Sequence, residues 1–178
     1  VVKPAKSGSS VGVSILSGPG GYAKACEKAF GCSDTVIVES YISGRELTVG
    51  ILGDEPLPVV EVIPGREFYD YEAKYKDSGT RYEFPARLSQ VERKVVVAEA
   101  MKAYRAIQGE VMSRVDIILD RDGKPYVLEL NTIPGLTAKS LLPKAAQAAG
   151  IHFPELCVRI MSLSLEGNKS GKAVKVED

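Results

Sequence analysis

The sequence predicts an α+β fold (α/β in its alternation of elements), an antiparallel sheet with flanking helices. Three observations predict it: two hairpin patterns, a helix carrying its own start and stop signals, and the alternation of strand-like and helix-like runs with no repeat or low-complexity tract between them. The chain has 178 residues and 44% hydrophobic content, enough for a sizeable core in one domain or two small subdomains.

Taken in order, Gly18-Pro-Gly-Gly21 punctuates a loop before a helix-like stretch from Tyr22 to Phe30, and Thr35 to Glu39 reads as a short buried strand. Leu47 to Leu52 and Leu57 to Ile63 are β-type runs joined by the turn residues Gly53-Asp54-Glu55, so they should pair antiparallel. From Gly65 to Pro85 aromatic residues (Phe68, Tyr69, Tyr71, Tyr75, Tyr82) alternate with charges without a period of 2 or 3.6, which predicts a long ordered surface loop of the kind that serves as a lid. Ser89-Gln-Val-Glu92 has capping-box spacing and starts a helix whose apolar stripe would be Val91, Val95, Ala98, Met101 and Tyr104, ending near Gly109. Ser113 to Leu119 and Pro125 to Asn131 flank an Asp-Gly turn, the strongest hairpin signal in the chain. An Ala-rich helix follows from Leu141 to Ala149, with Ser140 at or near its N-terminus. The polar, non-periodic residues from Glu166 to Asp178 read as a mobile tail.

Composition removes several classes of function. Lys and Arg number 23 and so do Asp and Glu, so a strongly basic nucleic-acid binder is not indicated. No run of about eighteen apolar residues is present to cross a membrane, so a soluble protein is expected. Cys26, Cys32 and Cys157 form neither a disulfide framework nor a C-x-x-C zinc motif, and a reducing cytoplasm fits them. His152 is the single histidine, which excludes a multi-histidine metal cluster and disfavours a Ser-His-Asp hydrolase. Chemistry is left to carboxylates and cations. Val1-Val2-Lys3-Pro4 opens within a strand-like run with no methionine, so the sequence reads as a fragment.

Within the Asp-Gly hairpin, Arg114 and Asp116 share a face, as do Glu129 and Asn131, and pairing across the turn brings both sets to the same end of the ribbon. Two readings stand at this point. The four residues are either a solvated polar face or, in the register that unites them, a hard-oxygen set suited to Mg²⁺. The small loop from Lys6 to Gly12 could fold backbone N–H groups around phosphates, although it is not a Walker A sequence and an ordinary turn has the same composition. Lys3, held extended by Pro4, projects near that loop, and the N-terminus at Ser140 can receive a carboxylate.

Read in order, Val-Val-Lys-Pro with Gly-Ser-Ser-Val-Gly, Val-Glu-Ser-Tyr-Ile-Ser-Gly-Arg-Glu, Phe-Tyr-Asp-Tyr-Glu-Ala-Lys-Tyr, Arg-Val-Asp and Leu-Glu-Leu-Asn-Thr-Ile-Pro-Gly-Leu-Thr resemble the D-alanine–D-alanine ligase family of the ATP-grasp superfamily, from residue 1 to about residue 163. The resemblance implies a C-terminal portion lacking the family's N-terminal domain. Residues 1–42 would be part of the central ATP-grasp subdomain, 43–165 the C-terminal subdomain with a lid at 66–84, and 166–178 the tail. It further implies that ATP phosphorylates the carboxylate of one D-alanine and that the amine of a second attacks the acyl phosphate, giving D-alanyl-D-alanine for peptidoglycan precursors and hence cell wall and cell shape.

By the same resemblance Lys3 and Lys74 contact nucleotide phosphates, Ser9 and Ser10 cover them, Glu39, Ser40 and Ile42 meet the adenine, and Glu46 the ribose. Asp116, Glu129 and Asn131 would hold two Mg²⁺ ions, with Mn²⁺ as the substitute. Arg114 and the N–H of Gly135 would stabilise the oxyanion, Ser140 and Leu141 would receive the second substrate's carboxylate, and Tyr75 would sit on the lid. The partners implied are D-alanine, ATP, the N-terminal domain and a second copy in a homodimer, with no nucleic acid and no membrane. Two departures stand out: Ser40 replaces a frequent lysine, and Met112-Ser113 precedes Arg114 where smaller or aromatic residues are usual. The alternatives are a ligase with a different second substrate, and a nucleotide-binding module without turnover.

Overall fold

The computed structural model describes residues 1–8, 10–64 and 79–169. Most of the expected lid, including Lys74 and Tyr75, lies outside the described residues, as do Ser9 and residues 170–178. The chain divides into two compact units, Val1–Ser43 with Ile63–Arg81 and Gly44–Val62 with Tyr82–Asp178.

In the first unit β1 (Val2–Pro4) pairs antiparallel with β2 (Val36–Val38), Lys3 opposite Ile37, and α1 (Tyr22–Phe30) covers them. Val2, Ala25 and Ala29 are the buried core, with Leu16, Cys26 and Val36 against it. The small loop turns back on itself through a hydrogen bond from Val11 N–H to Gly8 C=O, and Gly12 adopts φ 79°. Only glycine suits that position, because a Cβ would also stand 3.0 Å from Cys32 Sγ and 3.1 Å from Pro4 Cγ.

The second sheet is built from β3 (Gly44–Leu52), β4 (Glu55–Pro56), β5 (Val60–Ile63), β6 (Arg81–Glu83), β7 (Met112–Asp120) and β8 (Pro125–Asn131), in the order β6-β5-β3-β7-β8 with β4 on β3. The expected pairing of the Leu47 and Leu57 runs forms, antiparallel, with Thr48 opposite Val60. The return strand is shorter than the apolar run that predicted it, since Pro56 and Pro58 have no N–H to give a ladder. Arg81–Glu83, expected in the lid, is a strand instead.

Residues directly opposite in an antiparallel ladder lie on one face. The odd-numbered residues Leu47, Val49, Ile51, Val115, Ile117 and Leu119 point to one side, where α2 (Gln90–Ala106) buries Val96, Ala100, Met101 and Tyr104 against them. On the other side α3 (Leu141–Ala148) and α4 (Phe153–Lys169) place Leu142, Ala145, Ala146 and Leu156 against Leu52, Leu57 and Val60. Thr48, Arg114 and Asp116 lie on this same side of the sheet, with Glu129 and Asn131 of β8 opposite the last two, and these residues form the candidate site.

The capping box at Ser89 is present: Glu92 N–H donates to Ser89 Oγ at 3.2 Å, and Ser89 N–H donates to Glu92 Oε2 at 2.7 Å. The stripe differs from the expected one. Val91 is 73% exposed and Ala98 is exposed, because Val95-Val96-Val97 is apolar at three successive positions and spacing alone leaves the phase open by one residue. Near Gly109 the chain passes tightly against the Tyr104 ring, leaving no space for a Cβ. Helix α4 had no counterpart among the expected elements, and it continues through Lys169 into residues assigned to the tail. Among the described residues no helix is long and apolar enough to cross a membrane.

Two outcomes test this packing. Gly50 faces α3, and a Cβ there would stand 2.8 Å from Leu142 Cδ1 and 3.2 Å from Leu57 Cδ1; Gly50→Ala should cost about 1–3 kcal/mol by overpacking, read as a lower urea midpoint. Hydrogen bonds from Ser89 hold the Glu92 carboxyl below its ordinary value of 4.5, with nearby Arg45 adding to the effect. A depressed folded pKa contributes stability above the unfolded value that is lost as pH falls through the folded one. Wild type should therefore exceed Glu92→Gln in stability at neutral pH, and the gap should close as pH is lowered through and below 4.5.

Candidate functional site

Strands β7 and β8 pair with Arg114 opposite Asn131 and Asp116 opposite Glu129. This is the register that places all four residues on one face, and it ends abruptly: past Asp116 the partner of Ile117 is Val127, so Leu128 is the extra residue of a bulge. The bulge confines the polar set to one end of the hairpin.

Asp116 is the hub. Arg114 grips it with a two-pronged fork, Nε to Oδ1 at 2.9 Å and Nη2 to Oδ2 at 2.8 Å, and both side chains are largely shielded from solvent. Such bidentate pairing fixes the plane of a carboxylate as well as neutralising it. Asn131 Nδ2 lies 3.3 Å from Glu129 Oε1 and 3.5 Å from Asp116 Oδ2, bridging the two carboxylates, while Arg114 Nη2 stands 3.8 Å from Glu129 Oε1. A further residue joins from β3, where Thr48 sits opposite Asp116 and its Oγ1 reaches Asp116 Oδ1 at 2.6 Å. Sequence reasoning missed Thr48; its position two residues from Glu46, on the same face of a strand, was the available signal.

The donor set fits a hard divalent cation. It offers two carboxylates and a carboxamide on adjacent strands, and Mg²⁺ is usually held by one or two carboxylates together with nucleotide phosphates. Among the described residues no group of three His, Cys, Asp or Glu side chains could hold a metal, so the carboxamide and outside oxygens would have to complete the coordination.

The segment after β8 is tied down from within. Ser140 Oγ accepts from Thr137 N–H at 3.2 Å and lies 2.9 Å from Thr137 Oγ1, and a Cβ on Gly135 would meet it at 3.0 Å. Gly135 and Ser140 are thus neighbours because position 135 has no side chain. Ser140 caps α3 by position without a side-chain capping bond, and Leu141 is the first helical residue. In the first turn Lys144 donates to Lys139 C=O and lies over the Tyr82 ring at 4.5 Å; burial pushes its ammonium below the usual lysine range.

Of the residues expected at a nucleotide, Lys3, Ser10, Glu39, Ser40 and Ile42 fall in the first unit and Glu46 in the second. Lys3 Nζ and Glu39 Oε1 pair at 2.7 Å, brought together by the β1–β2 ladder and its continuation from Glu39 N–H to Val1 C=O. Ser10 has φ 60°, in the region that L side chains seldom adopt. Ser40 is exposed and Ile42 partly so. Glu46 is opposite Ile118 on the face that carries Thr48 and Asp116.

The chain is similar to known proteins over nearly its whole length. The family model described as D-ala D-ala ligase C-terminus matches residues 1–162. A D-alanine–D-alanine ligase of Anaeromyxobacter sp. (strain Fw109-5) is 46% identical over 161 residues, which cover 90% of this chain and 52% of that protein. The crystal structure of D-alanine–D-alanine ligase from Bacillus anthracis superposes with a TM-score of 0.83 at 40% identity, covering 95% of this chain and 55% of that one. The structure of the Bacillus anthracis enzyme complexed with ATP gives 0.81 at 34% identity, with 95% and 53% covered. The chain therefore spans about half the length of the curated relatives it matches. With the ATP-grasp architecture shared and nearly the whole chain matched, this protein belongs to the D-ala D-ala ligase C-terminus family.

Proposed function

We propose that this chain is the nucleotide- and metal-holding part of an ATP-dependent ligase that joins two D-alanines into D-alanyl-D-alanine, a peptidoglycan precursor. The observation that carries the proposal is the β7–β8 register, which lines up Asp116 with Glu129 and Arg114 with Asn131 on one face. Family membership supplies the substrate class.

Lys3, Lys74, Ser9 and Ser10 serve the phosphates, Glu39, Ser40 and Ile42 the base, and Glu46 the ribose. Asp116, Glu129 and Asn131 would hold two Mg²⁺ ions, or Mn²⁺ in their place; when bound, these supply positive charge to the phosphate oxygens. The carboxylate of the first D-alanine takes the terminal phosphoryl group, releasing ADP. Ser140 and Leu141, at the positive end of α3, receive the carboxylate of the second D-alanine. Its amine, having released a proton to water, attacks the acyl carbon, and the oxygen that gains charge is held by Arg114 and Gly135 N–H until phosphate leaves. Asp116 takes two of the five N–H groups of Arg114, so the guanidinium is oriented before any substrate arrives. Tyr75 belongs to the lid that keeps water from the acyl phosphate. A cytoplasmic enzyme, homodimeric when joined to its N-terminal domain, completes the reading.

The test is D-alanine-dependent phosphate release from Mg·ATP with direct detection of the dipeptide, for this chain alone and joined to the N-terminal domain that full-length relatives carry. Dipeptide in either sample supports the proposal; ATP binding with no dipeptide in both would leave a nucleotide-binding module and overturn it. In the active form Asp116→Asn and Glu129→Gln should abolish Mg²⁺-dependent phosphate release. Arg114→Lys, which keeps the charge but loses the fork, should lower turnover about 10²-fold. Wild-type activity in any of the three would remove that residue from the site.

A further inference from the structure

Thr48 is one of three buried polar side chains among the described residues, with Glu61 and Ser113. Glu61 has a plain structural partner, the fork of Arg45 on the α2 face. Thr48 is different: it is 1% exposed, it lies in a strand otherwise filled by Leu47, Val49 and Ile51, and valine would match its shape and its preference for a strand. What valine lacks is the hydroxyl. A buried hydroxyl without a partner costs on the order of 1–3 kcal/mol, as Ser113 Oγ must bear among the described residues, whereas that of Thr48 is directed to a carboxylate of the candidate site.

Two acceptors lie within reach of Thr48 Oγ1, Asp116 Oδ1 at 2.6 Å and Val115 C=O at 3.3 Å. The hydroxyl has one proton, and the nearer, charged oxygen takes it. Asp116 Oδ1 is thereby held from two directions, by Thr48 on β3 and by Arg114 Nε on its own strand, while Oδ2 receives Arg114 Nη2 and the long contact from Asn131. These anchors differ in kind. Arg114 is a long side chain with a second task in the proposed reaction, whereas Thr48 is short, β-branched and fixed in the sheet.

We propose that Thr48 is a positioning residue for the cation site, its hydroxyl holding Asp116 Oδ1 so that the carboxylate presents one direction to a divalent ion. The proposal rests on Asp116 being a cation ligand. An outer-shell partner of this kind acts on affinity through the geometry of the ligand it holds, and its removal typically weakens metal binding 10- to 100-fold.

The experiment titrates Mn²⁺ alone into the 178-residue chain and reads bound ion from the loss of its electron paramagnetic resonance signal, with circular dichroism and thermal midpoint recorded for each variant. Wild type should bind, and Asp116→Asn should not. Thr48→Val should need at least tenfold more Mn²⁺ for half-saturation, and Thr48→Ser, which restores the hydroxyl, should return to within about twofold of wild type. If Thr48→Val fails to fold, Thr48→Ala against Thr48→Ser makes the same comparison. Unchanged Mn²⁺ affinity in Thr48→Val or Thr48→Ala, with wild type binding and Asp116→Asn not, overturns the positioning role and leaves the cation site standing. No difference between wild type and Asp116→Asn overturns both.

Discussion

The second unit depends on one constraint, the register of the three central antiparallel strands β3, β7 and β8. Thr48, Asp116 and Glu129 form a row across them, flanked by the row Gly50, Arg114 and Asn131. A slip of one residue at either ladder would exchange faces. It would bury Asp116 or Arg114 against α2 and turn Val115 or Ile117 to the opposite side. The apolar core and the polar site thus specify each other. The fully buried Leu47, Val49, Val115 and Ile117 cannot leave the α2 face without loss, and while they stay the carboxylates and guanidinium are held on the other.

The two faces also divide the work of the charged residues. On the α2 side Arg45 donates to both oxygens of Glu61 and to Arg87 C=O, with Glu92 at 3.8 Å, joining β3, β5 and the start of α2. The hydrogen-bonded Glu61 carboxylate raises the affinity of Arg45 for its proton. This group is closed upon itself. The pair on the other face has the same fork geometry, but Asp116 also meets Thr48, and Glu129 beside it is more than half exposed. One fork joins strands to a helix; the other stands beside a carboxylate open to solvent.

Much of this was legible from residue types and spacing. The Asp-Gly turn announced the hairpin, Ser89 and Glu92 announced the helix start, and alternation announced that Arg114 with Asp116 and Glu129 with Asn131 would each share a face. The register itself was not legible, because alternation leaves two faces equally good until a neighbouring strand decides. Nor was the bulge: strict alternation would put Val127 with Glu129, whereas the extra Leu128 sends Val127 to the side of Ile117. The phase of α2 escaped for a related reason, three consecutive valines offering more than one apolar stripe. Thr48 escaped because its partner is 68 residues away in sequence. Local patterns carry no information about cross-strand contacts of that span.

The same reasoning explains why the polar cluster can exist in a half-buried place at all. Asp116 and Glu129 are like charges directly opposite each other, an arrangement that destabilises a sheet unless something opposes it. Arg114 supplies that opposition within the fold, its fork on Asp116 and its Nη2 at 3.8 Å from Glu129. Thr48 and Asn131 add directed donors without adding net charge. Two carboxylates and one guanidinium thus meet on the side of the sheet that also carries α3 and α4. For the divalent ion of the proposed function, the carboxylate in excess of the guanidinium would favour binding.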